Sequence, residues 1–392
     1  MDLNPLLKHA VDLGASDIHL KLGRPPMIRH DGEVTPLELP PLDDADLDAV
    51  LRTITAETPK RYDMFQESGD LDIAYTGEGL PRFRINAFRQ RGAVSFALRV
   101  IPLTVPSFQS LGLPEGVHQL AEEHRGLVLV TGATGSGKTT TLAAIIDHIN
   151  RTRRSHIVTV EDPIEIMHSD QLSIVNQREV GIDTTDFGQA LRRALRQDPD
   201  TILIGELRDA ETAQTALQAA ESGHLVFSTL HTIDCAETLG RMIEFFPAAK
   251  QQQIRSIMAG VLRGVISQRL LPKKGGGRVA AIELMINNAR IADLIREDRP
   301  DEVTDAIADG EFAKMQTFSK ALIDHVLAGT VDRDVAANAS TNRHDFMVSL
   351  EYAEKAQAAG IDHNKPAAAA VSHEPEPEDE PEPMLRLAPL GD

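Results

Sequence analysis

Apolar residues recur at two different periods along this chain, and the change of period divides it. Near the start, Leu3, Leu6, Leu7, Ala10 and Val11 share one face of a 3.6-residue repeat that Gly14 stops. LNPLLKHAVDLG therefore predicts an amphipathic helix. SDIHLKLG, PMIRHDGEV, DLDIAYTG, RFRINAFRQ and AVSFALRVI predict strands, while DDADLDAVLRTI and AETPKRYDMFQE predict helices. This makes a small α+β domain over residues 1–102. Ile101 to Gly116 holds three prolines and two turn signals, so residues 103–116 predict an interdomain linker.

From about Val117 the pattern becomes alternating strands and helices. LVLVTG, HIVTVEDP, TILIGEL, HLVFSTLH and VAAIELMI predict strands, several of them unbroken apolar runs. Such runs suit a parallel sheet covered on both faces. TTTLAAIIDHIN, TDFGQALRRALRQ and DAETAQTALQAAESG predict helices between them. The chain then turns helical through ARIADLIRED, EVTDAIADG, MQTFSKALIDHVLAG and a last helix to about Ala359. The second domain is thus expected over residues 117–360. Prolines and carboxylates dominate residues 361–392, which predict a disordered acidic tail with one apolar island, MLRLAPL.

Composition narrows the function. The net charge is −19, and His373 to Pro383 holds six carboxylates without a Lys or Arg. An acidic surface repels nucleic-acid phosphates, so no direct nucleic-acid partner is expected. The single cysteine, Cys235, excludes an intrachain disulfide and a cysteine zinc cluster; a packing role near a helix start is expected. No stretch is apolar enough to span a membrane and the N-terminus is unlike a signal peptide, so a cytosolic protein is expected.

GATGSGKTT, from Gly132 through Ala133, Thr134, Gly135, Ser136, Gly137, Lys138 and Thr139 to Thr140, fits G-x-x-x-x-G-K-[ST]. The glycines let successive backbone N–H groups face a phosphate chain. Lys138 can reach the β- and γ-phosphates, and the Thr139 hydroxyl can bind Mg²⁺. A β run precedes the loop and a helix follows it, as the anion site requires. ATP with Mg²⁺ is therefore the expected ligand pair.

Four further segments bear on what happens to the nucleotide. VEDPIE, from Val160 to Glu165, ends a strand with Glu161, Asp162 and Glu165, carboxylates that can hold water or metal. LIGELRD supplies Glu206, with Gly205 where an Asp often stands. GHLVFSTLHT carries His224 near its start and His231 near its end. RFRINAF and SFALRV carry Arg82, Arg84 and Arg99 on probable strands, with Arg82 and Arg84 sharing a face. Positive charge for a leaving phosphate is often supplied by a neighbouring domain or subunit.

These segments, with SDIHL, NQREVG and GGGRVAAIELM, resemble the secretion and type IV pilus ATPases, and within them the pilus-retraction ATPases of the PilT type. The resemblance covers roughly Asn4 to Leu350. It implies a PAS-like N-terminal domain, a RecA-like P-loop ATPase domain with C-terminal helices, and a homo-hexameric ring. It implies work at the cytoplasmic face of the inner membrane against the pilus platform protein, in support of twitching motility or DNA uptake. Within it, Glu165 matches the water-activating glutamate, Glu206 the metal-site glutamate, and His224 and His231 the two family histidines. Arg84 and Arg99 match arginines that reach the γ-phosphate, with Arg82 a weaker match. RIADLIRE, Arg290 to Glu297, resembles a retraction-family helix but departs at Arg290, Ala292 and Asp293. Competing expectations are an extension or type II secretion ATPase, an accessory retraction motor, a RecA-like nucleic-acid translocase, and a nucleotide-binding scaffold without hydrolysis.

Overall fold

A computed structural model describes residues 2–30, 32–56, 58–101 and 105–359. The expected acidic tail, its MLRLAPL island and the start of the expected linker lie outside the described residues.

The first part of the chain runs α1 (Leu3–Asp12), β1 (Asp17–Lys21), β2 (Met27–His30), β3 (Glu33–Pro36), α2 (Asp44–Thr55), α3 (Pro59–Ser68), β4 (Asp70–Thr76), β5 (Arg82–Gln90) and β6 (Ala93–Ile101). Its six strands form one antiparallel sheet in the order β3-β2-β1-β6-β5-β4. The stretch PMIRHDGEV is two strands rather than one. The chain reverses near Gly32, whose φ of 88° is a left-handed conformation that favours glycine. Asp43 caps α2 through a capping box with Asp46. Leu3, Leu6, Leu7 and Ala10 of α1 enter the same core as Leu47, Leu51, Phe83, Ile85 and Phe96.

Two helices follow, α4 (Phe108–Leu111) and α5 (Glu115–Ala121). The expected linker is therefore shorter than residues 103–116. Gly116 is already packed, since a Cβ there would stand 2.4 Å from a Leu284 methyl, and Val117 and Leu120 join the second core.

The second sheet is built from β7 (Gly126–Thr131), α6 (Lys138–Thr152), β8 (His156–Glu161), β9 (Ile174–Glu179), α7 (Phe187–Ala194), β10 (Thr201–Ile204), α8 (Ala210–Glu221), β11 (Leu225–Leu230), α9 (Cys235–Glu244), α10 (Ala248–Val261), β12 (Leu262–Pro272) and β13 (Arg278–Ile286). Strand order is β13-β12-β7-β11-β10-β8-β9. All neighbours are parallel except the antiparallel pair β12 and β13. Side chains alternate across β7: Leu127 and Leu129 join one core, Val128 and Val130 the other. Helices α5 and α6 cover the second face, and α7 to α10 the first. Strands β9 and β12 were not among the expected strands. NQREVG mixes polar residues into an edge strand, and LRGVISQRLLP has neither a turn signal nor clean alternation to mark it.

Helices α11 (Ala289–Glu297), α12 (Val303–Ala308), α13 (Phe318–Leu327) and α14 (Arg333–Ala339) complete this compact unit, which holds both sheets and ends at Thr341. On α11 the residues Ile291, Leu294 and Ile295 are buried, at the expected i, i+3, i+4 spacing. A second unit begins at Asn342 and contains α15 (Arg343–Ala358), whose first turn is capped by the Asn342 side chain. Among the described residues no helix is long and apolar enough to cross a membrane.

One ion pair ties the two sheets together. Arg82 on β5 lies 3.0 Å from Glu179 on β9, with the two side chains 19% and 9% exposed. Arg61 adds a long hydrogen bond of 3.5 Å to the Gly181 carbonyl. Truncating Arg82 to Ala leaves the nearly buried Glu179 carboxylate without its counter-charge, held by the Ile164 N–H at 3.3 Å, at a cost of about 1–3 kcal/mol. Arg84 is exposed and forms no ion pair among the described residues, so Arg84→Ala is expected to cost less than about 0.5 kcal/mol. Thermal unfolding of both variants checks this. Equal midpoints would show that the Arg82–Glu179 pair contributes nothing to the coupling of the sheets.

Candidate functional site

Because β7, β8, β10 and β11 are parallel, their carboxyl ends lie on one edge of the sheet. In open sheets of this kind ligands bind outside that edge. The segments after these four strands are the phosphate loop, Asp162 to Ile166, Gly205 to Arg208, and His231. All four contribute to one cavity of about 530 Å³.

The loop from Gly132 to Gly137 passes from β7 into α6, whose first residue is Lys138. Gly132 has φ 139°, and a Cβ on it would stand 2.5 Å from the Gln268 carbonyl and 2.6 Å from Ser136 Oγ. Only glycine fits there. Gly137 caps α6 at φ 94°. Lys138 Nζ donates to the carbonyls of Gly132 at 2.7 Å and Ala133 at 3.1 Å, so the ammonium lies across the mouth of the loop. Burial pushes the Lys138 pKa down, and the Glu165 carboxylate partly offsets this. Thr134, Gly135, Thr139 and Thr140 line the same cavity.

The acids divide by environment. Glu165 is exposed to the cavity. Glu161 is buried and accepts from the Thr159 hydroxyl at 2.6 Å and the Gln177 amide at 3.1 Å. Burial pushes its carboxyl above the usual range, against the pull of those two bonds. Glu161 thus anchors β9 to the end of β8, while Glu165 is free to act on a ligand. Glu206 is clamped from two sides, by an ion pair with the Arg208 guanidinium and by His231 Nε2 at 3.3 Å. Arg208 also reaches Asp162 at 3.3 Å. Burial, then the charges of Lys138 and Arg208, hold the His231 pKa below its ordinary 6.5.

Outside the phosphate loop, four candidate residues, His224, Arg82, Arg84 and Arg99, do not line this cavity. His224 precedes β11, at the amino end of that strand. Six residues at about 3.3 Å each separate it from His231. Its ring bonds Ser222 Oγ at 2.9 Å and the Ala219 carbonyl at 3.0 Å, which closes the turn after α8. The strand run made both histidines look alike, but only its far end faces the loop. Arg84 and Arg99 are direct cross-strand partners on β5 and β6. Neither lines the cavity of its own chain. Arg99 is 2.9 Å from Asp17, and Arg82 is engaged by Glu179.

Several residues escaped notice in the sequence. Arg208, two positions after Glu206, was visible as a basic residue between two acids. His168, Phe187 and Arg278 also line the cavity. Behind the loop a buried hydroxyl network joins Thr131 to Ser267 at 2.7 Å and Thr232 to Thr238 at 2.6 Å. Gln268 reaches Thr141 at 2.9 Å. The Thr131–Ser267 and Thr141–Gln268 contacts link residues far apart in sequence, and no local spacing announces them.

A phosphate loop feeding a helix, with acids and a histidine on the same edge of a parallel sheet, defines a P-loop ATPase. Residues 1–276 match the family model for Type II/IV secretion system proteins, and the chain belongs to that family. It is 46% identical over 336 residues to the type IV pilus retraction ATPase PilT of Pseudomonas aeruginosa, covering 86% of this chain and 97% of that one. It is 40% identical over 318 residues to a twitching motility protein of Neisseria gonorrhoeae, covering 81% and 84%. A crystal structure of the pilus retraction motor PilT with bound ADP superposes with a TM-score of 0.82 at 45% identity, covering 88% of this chain and 98% of that one. The resemblance to PilT-type ATPases read from the motifs is borne out.

Two outcomes follow from this geometry. Gly132→Ala should lose ADP binding by calorimetry while the sheet stays folded by circular dichroism; retained affinity would mean that the loop can move away from Gln268. His231, with its pKa lowered, is neutral at pH 7. As pH falls below 6.5 the unfolded chain protonates first, so this residue's contribution to stability is lost on acidification. His231→Gln, which stays neutral, should therefore keep more ATP turnover than His231→Lys, which places a fixed charge beside Lys138 and Arg208. Equal rates would remove the charge state of His231 from the chemistry.

Proposed function

We propose that this chain is an ATP-hydrolysing motor that retracts type IV pili. The observation that carries the reading is the convergence of Lys138, Glu165, Glu206 and His231 on one cavity. Its similarity to retraction ATPases supports the direction of the motor over extension or secretion.

In this reading the Gly132–Gly137 backbone cradles the phosphates and Lys138 neutralises their charge. Glu165, exposed opposite Lys138, accepts the proton of the attacking water. Thr139 and Glu206 bring a hydroxyl and a carboxylate oxygen to the same cavity, a hard donor set that fits Mg²⁺. When bound, the metal offsets the negative charge of the phosphates. Arg208 and His231 orient Glu206 for that role.

The reading extends to assembly. Arg84 and Arg99 stand side by side on an exposed face away from their own cavity. A second copy of the chain could receive them, which accords with a homo-hexameric ring. The first sheet would be the PAS-like domain and the second the RecA-like domain. The ring would act from the cytoplasmic face of the inner membrane on the pilus platform protein. On α11 the outward residues are already occupied, Arg290 by Asp309, Arg296 by Asp293 and Glu297 by Arg299.

Glu165→Gln is expected to bind ATP and hydrolyse it about 10²-fold or more slowly, since an amide cannot take the proton. A normal rate, in an assay paired with a nucleotide-binding control, would assign the base to another residue. In cells, deleting the gene should give hyperpiliated, non-motile bacteria; bald cells would mark an extension motor.

A further inference from the structure

Away from the nucleotide cavity, three potential ligands converge where α5 meets α6. His118 and Glu122 are four residues apart at the end of α5, so they share a face. His148 comes from the middle of α6. One ligand atom from each of the three lies within 4.8 Å of the others. His148 Nε2 is 2.6 Å from Glu122 Oε1, and the two imidazole centroids are 4.5 Å apart.

A simple His–Glu pair explains only part of this. The His118 ring has no hydrogen-bond partner among the described residues, yet it meets His148 edge-on. Phe108 of α4 packs on both rings, stacked on His148 at 5.1 Å and edge-on to His118 at 5.5 Å. The second carboxylate oxygen of Glu122 is fixed by Arg153 at 3.3 Å, and Arg153 is itself held by the Ala121 and Glu123 carbonyls. Orientation of ligands by such outer partners is characteristic of metal sites.

We propose that His118, Glu122 and His148 bind a divalent transition metal, with zinc the best fit. Two imidazole nitrogens and one carboxylate oxygen form a borderline donor set that suits zinc, with a fourth position open to water. Tetrahedral ligands on zinc stand roughly 3–3.5 Å apart. Rotation of the exposed His118 side chain closes the remaining gap. The Arg153 charge weakens the site without removing a ligand. Because Phe108 lies over both rings, a bound ion clamps α4 and α5 onto α6, at the root of the segment joining the two sheets.

The test uses the full chain, stripped with a chelator and titrated with Zn²⁺ by calorimetry and with Co²⁺ by visible absorption. Stoichiometric binding is expected. His118→Gln, at an exposed position, and Glu122→Gln, which keeps an oxygen for Arg153, should each weaken it by at least about tenfold with unchanged unfolding midpoints. Hydrogen exchange over residues 105–121 should slow on adding Zn²⁺ to the unaltered chain and not to the variants. No binding, or equal affinity in the unaltered chain and both variants, would overturn the proposal. So would protection confined to another part of the chain, which would place the ion on other histidines.

Discussion

The constraint on which the rest of the structure depends is the shared polarity of four strands. β7, β8, β10 and β11 run parallel, so the residues that leave them emerge on one edge. Chemistry assembled from Gly132, Glu165, Glu206 and His231 is local in space only for that reason. The apolar runs that make the strands parallel and doubly covered are therefore also what positions the site. A polar residue inside LVLV or TILI would cost packing on whichever face it enters and loosen the edge. The same polarity explains why His224, at the amino end of β11, takes a turn-closing role instead.

Within the site, burial sorts residues that look equivalent on paper. Glu161 and Glu165 are four positions apart in one motif. Thr159 and Gln177 hold the first in the protein interior, whereas the second faces Lys138 across the cavity. Glu206 is neither free nor buried, because Arg208 holds one of its oxygens and His231 the other. An acid held this way is preorganised: its position is fixed before a ligand arrives, and little reorganisation remains to be made during the reaction. The Arg82–Glu179 pair plays a different part. It fastens the first sheet to the edge strand that follows VEDPIE, and Glu179 also accepts from the Ile164 N–H of that motif at 3.3 Å.

The legible part of the sequence was whatever has a local signature. The phosphate loop, the parallel strands and the buried face of RIADLIRE could be read because glycine spacing and apolar period are local properties. β9 and β12 could not be, since their polar residues satisfy partners that are distant in the chain. The weight given to Arg82, Arg84 and Arg99 rested on motif spacing alone. Spacing does not say that Arg82 meets Glu179, nor that Arg84 and Arg99 are exposed cross-strand partners that do not line their own nucleotide cavity. Arg208 was overlooked because its role comes from two acids on different strands. The short linker is the remaining case: prolines mark where chain direction changes, but Gly116 is already packed against Leu284 of the second sheet.

The most direct measurement is a structure of the chain with Mg²⁺ and a non-hydrolysable ATP analogue. The expected result places the terminal phosphate between Lys138 and the Glu165 carboxylate, with the metal on Thr139 and the Glu206 side. A triphosphate bound with its terminal phosphate remote from Glu165, or held at the opposite edge beside His224, would contradict the assignment of this cavity as the catalytic site.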